Sequence, residues 1–284
     1  MDKVLVIDGQ TFELVGVQRE GVSAVYRGGG SYVRIGEPHK IERDLAFHRR
    51  MEEAGFPVAK LLGAGAHGGF AYFIEASLGE RRLGLLFAED FETQGAVGEA
   101  HIAELIAIVE KHIIAQMGTR MSESAWDDFQ SGIRLPELCA ELPDEARKIR
   151  ERFARAKIAL TLFPFVVTHG DFNAQNLYRD GVIDLEDSFC APVGYDPLSV
   201  LATIDAMPES RDYEFYARYH LSEAHRVRYL GEIDTIARAN GLPTFSEHEE
   251  DFAFCRWVWL TVGMQRWPRI RQWRYDRFRK RFLS

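Results

Sequence analysis

Three oxygen-bearing side chains stand near one another in the stretch from Phe165 to Asp187, FVVTHGDFNAQNLYRDGVIDLED: Asp171, Asn176 and Asp184. Val166-Val167 is a short apolar run that ends in His169-Gly170-Asp171. Asn176-Leu177-Tyr178 reads as a short strand, Arg179-Asp180-Gly181 as a tight turn and Val182-Ile183-Asp184 as a returning strand. A hairpin of that kind brings Asn176 close to Asp184. A carboxylate can orient an attacking hydroxyl, while amide and carboxylate oxygens are the hard donors that Mg²⁺ prefers. The set therefore meets two needs of phosphoryl transfer, a group for the nucleophile and oxygen ligands for the ion that holds the phosphates. Asp171 alone could be a turn or cap residue. The spacing to Asn176 and Asp184 is what argues for catalysis.

Neighbouring residues admit plainer readings. His169 beside Asp171 suggests a metallohydrolase, but no second histidine cluster supports one, and a satisfied core histidine is the better reading. Glu186 and Asp187 are either metal or substrate contacts or solvated loop acids. Cys190 has no basic neighbour in sequence to lower its pKa, so it is not read as reactive.

The elements that must position these residues fall into two groups. The first 80 residues read as β-rich, with strands at Phe12 to Val17, Ala24 to Arg27 and Tyr32 to Ile35, punctuated by Arg19-Glu20-Gly21 and Gly28-Gly29-Gly30. A helix from about Ile41 to Ala54 is stopped by Gly55 and Pro57. Two short strands follow, near Ala59 to Leu62 and Phe70 to Ala76. After Gly79 the apolar spacing becomes helical, first from Ala100 to Met117 through Ile102, Leu105, Ile106, Val109 and Ile113. Further helices are expected from Asp144 to Leu160 and over most of the chain after Pro197. The expectation is an α+β chain of two lobes, a small β-rich lobe over 1–77 and a larger mostly helical lobe over 78–284, with a ligand cleft between them.

The pattern His-x-Asp-x-x-x-x-Asn followed by an aspartate after a strand resembles the catalytic loop of protein kinases. Gly170 in the middle position, and Ile183-Asp184 in place of Asp-Phe-Gly, make it similar to the aminoglycoside phosphotransferase and choline kinase-like family. The resemblance implies a protein kinase-like fold, Asp171 as catalytic base, Asn176 and Asp184 as Mg²⁺ ligands, and ATP or GTP as co-substrate. Gly194-Tyr195-Asp196-Pro197 is similar to the family's Gly-Asp-Pro, which implies that Asp196 braces the catalytic loop. Gly21 and Ser23 fall where the family's phosphate loop stands. Arg34, in Tyr32-Val33-Arg34-Ile35, replaces its phosphate-contacting lysine. Asp44 falls where the partner glutamate stands, with Glu42 as the rival, and the implied ion pair is Arg34 with Asp44. Phe73 to Gly79 resembles the hinge, which implies adenine bonding to the backbone of Glu75 and Ser77, with Ile74 as gatekeeper. The sequence departs from the family at Asn173-Ala174-Gln175, where His-Pro-Gly is common.

Composition narrows the function classes. The 284 residues are 46% apolar and 27% charged, with a net charge of −8. That supports a packed core and disfavours disorder. The longest uncharged runs, Leu61 to Ile74 and Ile158 to Gly170, are too short to span a bilayer. The four-residue apolar run after Lys3, broken by Asp8, is not a signal peptide. The three cysteines, Cys139, Cys190 and Cys255, are far apart, so a reducing cytoplasm is expected. Arg266 to Ser284 holds eight Lys/Arg against one acid, which leaves 27 basic and 42 acidic residues in the other 265. An acidic body disfavours nucleic acid and attracts cations. The basic tail is read as a terminal helix with its aromatics packed inward, because no nucleic-acid motif accompanies it. The expected activity is transfer of a phosphoryl group to a hydroxyl of a small acceptor, whether an aminoglycoside, an amino alcohol or another metabolite. A cationic acceptor would be held by acids after the catalytic loop, among them Asp187, Asp205, Glu209 and Asp212. The alternative is a nucleotide-binding module of the same fold that has lost catalysis.

Overall fold

The computed structural model describes residues 2–17 and 23–284. Three pairs of consecutive residues with left-handed backbone organise its first part: Asp8 and Gly9 (φ 49° and 79°), Gly29 and Gly30 (58° and 76°), and Gly68 and Gly69 (58° and 85°). Two adjacent positive φ angles make the tight hairpin turn whose twist matches its strands. These turns join β1 (Val4–Ile7) to β2 (Gln10–Val17), β3 (Ser23–Gly28) to β4 (Ser31–Gly36), and β5 (Leu61–His67) to β6 (Phe70–Ala76). The strands form one antiparallel sheet in the order β1-β2-β3-β4-β6-β5. Two strands depart from the sequence reading. β1 uses the short apolar run before Asp8-Gly9. β5 begins at Leu61 and continues to His67 through Gly and Ala residues, whose low strand propensity concealed it.

Strand alternation gives the sheet two different faces. Val33 and Ile35 join Phe12, Ala24, Tyr26 and Tyr72 in one apolar cluster. Tyr32 and Arg34 point the other way, opposite Glu75 and Phe73 of β6. α1 (Pro38–Glu53) packs on that second face, mainly against β6. Proline at its start and Gly55 (φ 80°) just past its end delimit it.

The larger lobe is helical: α2 (Leu83–Gln94), α3 (Glu99–Met117), α4 (Trp126–Gly132), α5 (Leu135–Glu141) and α6 (Ala146–Leu160). Four short strands follow, β7 (Phe165–Val167), β8 (Leu177–Tyr178), β9 (Gly181–Val182) and β10 (Cys190–Pro192). β7 pairs with β10 and β8 with β9. The chain ends in α7 (Tyr195–Asp205), α8 (Glu223–Ala239), α9 (Glu249–Thr261), α10 (Pro268–Phe278) and a π-helical turn over Arg279–Leu283. α9 is a buried helix, as its aromatic run predicts, with Phe252, Phe254 and Trp257 in the core and the helix packed on α7. Among the described residues no helix is long and apolar enough to cross a membrane.

The basic tail is folded onto the body. Ile270, Tyr275 and Phe278 are buried, and Trp273 stacks on Trp257 at 6.3 Å. Arg279 pairs with Glu145 at 2.6 Å and Arg281 with Glu250 at 2.8 Å. The tail's positive charge thus answers acids of the body.

The two parts meet around the catalytic segment. Met51 and Phe56 cluster with Ala115 and Val167. Val182 N–H donates to Pro57 O at 2.7 Å. A side chain at Gly181 would lie 2.2 Å from Pro57 O, so only glycine permits this approach.

Candidate active site

Asp196, in the first turn of α7, is fully buried. Its Oδ2 accepts the backbone N–H of His169 at 2.7 Å, and its Oδ1 that of Gly170 at 3.2 Å. Oδ2 also takes His112 Nε2 at 2.8 Å and Gln116 Nε2 at 2.9 Å from α3. Burial drives the His112 pKa down, against the pull of Asp196, and so favours the neutral ring. His169 is a fully buried core residue whose Nε2 bonds Ile183 O at 2.7 Å. Gly170 has φ 81°, and a Cβ there would meet Asp187 O at 2.0 Å. The loop that presents Asp171 is thus fixed on both sides of the glycine.

Asp171 is partly buried, with its side chain 22% exposed. Asn173 Nδ2 donates to its Oδ1 at 2.9 Å, and Asn176 Nδ2 to its Oδ2 at 3.1 Å. Asn176 Nδ2 also reaches Asp171 O at 3.0 Å. Oδ1 further accepts from Nη2 of Arg256 on α9. Arg256 is completely buried, donates to Gly170 O at 2.8 Å and Thr203 Oγ1 at 3.1 Å, and carries Trp259 over its plane at 4.3 Å. Burial opposes its charge, but Asp171 and then Tyr195 outweigh that and hold its pKa above the ordinary arginine value. Sequence reasoning missed Arg256. The signal was a lone arginine inside the apolar run Phe252 to Trp259, because a buried charge needs a partner.

The hairpin forms as its sequence predicts. Leu177 pairs with Val182 and Tyr178 with Gly181, and Ile183 N–H donates to Asn176 O at 3.0 Å. Asp184 follows at once, with φ 67°. A non-glycine residue in the left-handed region is uncommon and marks a site where surroundings override local preference. With its amide nitrogen committed to Asp171, Asn176 keeps its amide oxygen for a ligand, and Asp184 follows directly on Ile183, the residue bonded to Asn176 across the hairpin. Among the described residues no three His, Cys, Asp or Glu side chains converge on a metal position. Mg²⁺ needs no such cage, since it binds through one or two protein oxygens, water and substrate phosphates. The donor set fits it.

The small lobe supplies the other expected residues. Gly21 lies outside the described residues. Ser23 is buried at the start of β3. Of the two rival acids on α1, Asp44 turns inward and Glu42 is exposed. The expected ion pair is not made, however. Asp44 lies 3.5 Å from its neighbour Arg43, and one of its oxygens is buried with no hydrogen-bond partner. Arg34 Nε is likewise buried without one. The acid that shares the sheet face with Arg34 is Glu75, which pairs across the strands with Tyr32. Burial raises the Glu75 pKa, while Arg34 and then His48, 3.8 Å away, pull it down. The physical reason is register: Arg34 and Glu75 are diagonal neighbours on adjacent strands, whereas Asp44 must reach from a helix with a short side chain. In the hinge segment, Ser77 N–H donates to Gly30 O at 3.0 Å, which leaves the Ser77 carbonyl as its uncommitted backbone group.

The acids proposed for a cationic acceptor are arranged differently from expectation. Asp205 is bound to Arg226 at 2.9 Å and to Arg281 at 3.3 Å. Asp212 accepts the Ser210 hydroxyl at 3.0 Å, and Glu209 is exposed. Asp205 and Glu209 do not form a free pair, because α7 ends at Asp205 and the folded tail supplies the counter-charge.

Comparison with known proteins bears on the family and the fold. The profile of the family described as "APH: Phosphotransferase enzyme family" matches residues 18–230. No curated protein matches the sequence. Among solved structures, a thermostable mutant of aminoglycoside phosphotransferase APH(4)-Ia, in ternary complex with AMP-PNP and hygromycin B, is 13% identical with a TM-score of 0.53, over 96% of this chain and 93% of that one. Aminoglycoside phosphotransferase APH(3'')-Id from Streptomyces rimosus, in complex with ADP and streptomycin, is 14% identical with a TM-score of 0.53, over 87% and 92%. At these identities the likeness is one of fold: a curled antiparallel sheet lobe followed by a helical lobe.

Proposed function

This chain belongs to the phosphotransferase enzyme family, and we propose that it is a magnesium-dependent kinase that moves the γ-phosphoryl group of ATP to a hydroxyl of a small molecule. The observation that carries this reading is the convergence on Asp171. A fixed loop presents its carboxylate, Oδ1 is occupied by Asn173 and Arg256, and among the described residues Oδ2 is held only by Asn176.

In this reading Oδ2 accepts the proton of the acceptor hydroxyl as the oxygen bonds to the γ-phosphorus. The bond from phosphorus to the bridging oxygen breaks, and ADP leaves with that electron pair. Positioning of the hydroxyl is the main contribution, because phosphoryl transfer passes through a loose transition state in which little covalent chemistry falls to the protein. Asn176 and Asp184 would hold Mg²⁺, which supplies charge neutralisation at the phosphates. On the nucleotide side, the buried unpartnered Nε of Arg34 and oxygen of Asp44 are polar groups prepared for a ligand. The carbonyls of the Glu75 to Ser77 hinge would receive the base, of ATP or of GTP. Gly21 and Ser23 would cover the phosphates. With lobes over 1–77 and 78–284, these groups would lie on one side of a cleft and Asp171 on the other. A cytoplasmic enzyme is in keeping with three free cysteines.

The missing Arg34–Asp44 pair favours one other reading, a nucleotide-binding module without turnover. One experiment separates the two. Purified protein is screened for ADP or GDP release with Mg²⁺ over sugars, amino alcohols and aminoglycosides, with nucleotide binding measured in parallel. Acceptor-dependent release that Asp171→Asn abolishes supports the kinase. Nucleotide binding with no release on any acceptor supports the module.

A further inference from the structure

Resting on the kinase reading, we propose that Arg256 is a positioning residue, which fixes the plane of the Asp171 carboxylate so that Oδ2 faces the acceptor hydroxyl. The guanidinium is held along three edges. Nε donates to Thr203 Oγ1 at 3.1 Å, Nη1 to Gly170 O at 2.8 Å, and Nη2 to Asp171 Oδ1. Three in-plane bonds leave a planar group no freedom to turn. Trp259 covers one face of that plane at 4.3 Å, so the group is also fixed out of plane.

The anchors come from elements that already hold the loop. Thr203 lies on α7, the helix whose first turn carries Asp196. Asp196 fixes the backbone N–H groups of His169 and Gly170. Arg256 fixes the Gly170 carbonyl and the Asp171 side chain. One helix therefore grips the loop directly through its backbone and, through Arg256, grips the carboxylate it presents. The asymmetry of the donors matters as well. Two donors crowd Oδ1, and Oδ2 has one. The oxygen with spare lone pairs is thereby selected by the bonds that Asn173 and Arg256 make to the other one.

A structural role alone accounts poorly for such a group. A buried ion pair is weak evidence for stability, since well-packed apolar residues of similar volume often serve as well or better. Arg274, buried nearby, shows the contrast: it donates to the carbonyls of Ala206 and Leu260 and makes no bond to Asp171. Lysine could not replace Arg256, because an ammonium lacks the planar fork that reaches Thr203, Gly170 and Asp171 together.

The test compares Arg256→Ala, Arg256→Lys and Thr203→Val with the native enzyme, each checked for folding by circular dichroism. Arg256→Ala is expected to lower kcat on the order of 10²-fold, with KM for the nucleotide nearly unchanged, because a misplaced reacting group costs about that much. Added guanidinium should return part of the lost kcat, and methylammonium should not. A folded Arg256→Ala that keeps native kcat, or that loses activity through nucleotide KM with no guanidinium response, overturns the proposal. Should Arg256→Ala not fold, crystal structures and kinetics of Arg256→Lys and Thr203→Val decide. A rotated Asp171 carboxylate with lowered kcat supports the proposal, and an unmoved carboxylate with native kcat overturns it. If the native protein phosphorylates no acceptor, the kinase reading fails by itself. The carboxylate in the Arg256→Lys crystal structure then decides positioning: rotated supports it, unmoved overturns it.

Discussion

The backbone N–H of His169 donates to Asp196 Oδ2 at 2.7 Å, although the two residues are 27 apart in the chain. The same carboxylate gathers His112 and Gln116 from α3 and the N–H of Gly170. β7 ends at Val167 and Thr168 N–H still bonds Phe189 O at 2.9 Å, but no strand ladder holds His169 and Gly170. One buried acceptor does so instead, and it links α3 and α7 to the loop that carries Asp171.

Replacing that acceptor strands several donors at once. Asp196→Ala is expected to destabilise the fold by at least about 3 kcal/mol, since each buried unsatisfied donor costs about 1–3 kcal/mol. Asp196→Asn keeps one acceptor oxygen but turns an NH₂ towards existing donors, so an intermediate loss is expected. Urea unfolding measures both. A loss below about 1 kcal/mol for the alanine variant would mean that water or a neighbour replaces the carboxylate.

His112 makes the same junction sensitive to acid. Burial lowers its pKa below the ordinary value of 6.5, with Asp196 pulling upward and His169 adding a downward push. The unfolded chain therefore binds a proton more readily than the folded one. The sign follows from linkage: this stability is present above pH 6.5 and is lost as pH falls below it. The melting temperature should drop between pH 7 and pH 5, and His112→Gln should flatten that slope. An equal slope in the variant would assign the acid sensitivity to other groups.

The base itself gives a kinetic prediction. Asp171→Ala should lower turnover by about 10²–10⁴-fold, the usual worth of general-base catalysis. Nucleotide affinity should hold, because the carboxylate serves the acceptor hydroxyl. Calorimetric titration with ATP and Mg²⁺, beside steady-state rates, checks both halves. Retention of more than about a tenth of native kcat would remove Asp171 from that role.

How much of this was readable before the structure depends on how local the determinant is. Asp171, Asn176 and Asp184 lie within one hairpin and its leading loop, so local spacing marks them as candidates, and the pairing of Leu177 with Val182 follows. Asp196 was marked by its Gly-Tyr-Asp-Pro context. The buried aromatic helix and the folded tail followed from apolar patterning. Arg256 reaches Asp171 across 85 residues, and no local pattern encodes that contact. The Arg34–Asp44 expectation failed for a related reason. Both residues turn inward, but helix placement over a sheet sets the final distance, and strand register makes Glu75 the diagonal neighbour of Arg34. Asp205 misled because its counter-charges, Arg226 and Arg281, come from elements far along the chain.

Magnesium dependence tests the hairpin. Asp184 is the one carboxylate of the proposed metal pair, and Asn176 offers a neutral oxygen. Asp184→Asn should therefore raise the Mg²⁺ concentration needed for half-maximal activity, since affinity for a hard cation follows ligand charge. Asn176→Ala should do so too, and should also lower kcat at saturating Mg²⁺, because Asn176 Nδ2 holds Asp171 Oδ2 at 3.1 Å. An unchanged Mg²⁺ requirement in Asp184→Asn would take that residue out of the metal site.

Asp205 distinguishes a structural acid from an acceptor-binding one. It ends α7, where the helix dipole disfavours a negative charge. Arg226 and Arg281 offset that, at 2.9 and 3.3 Å. Both arginines have second partners, Glu249 at 2.9 Å and Glu250 at 2.8 Å. Asp205→Asn thus strands neither cation, and it relieves the dipole. The net loss of stability should stay within about 1 kcal/mol, the range of partly exposed pairs. Glu249 provides a sharper readout. Burial raises its pKa, Arg226 lowers it, and Asp205 raises it again. Removing the Asp205 charge takes away a repulsion and leaves Arg226 to Glu249 alone, so the Glu249 carboxyl should titrate at lower pH. Carbon-detected NMR of the carboxyl resonances measures this. KM values for amine-bearing and neutral acceptors should be equally unaffected by Asp205→Asn. A selective rise in KM for amines, with Glu249 unmoved, would return Asp205 to the acceptor site.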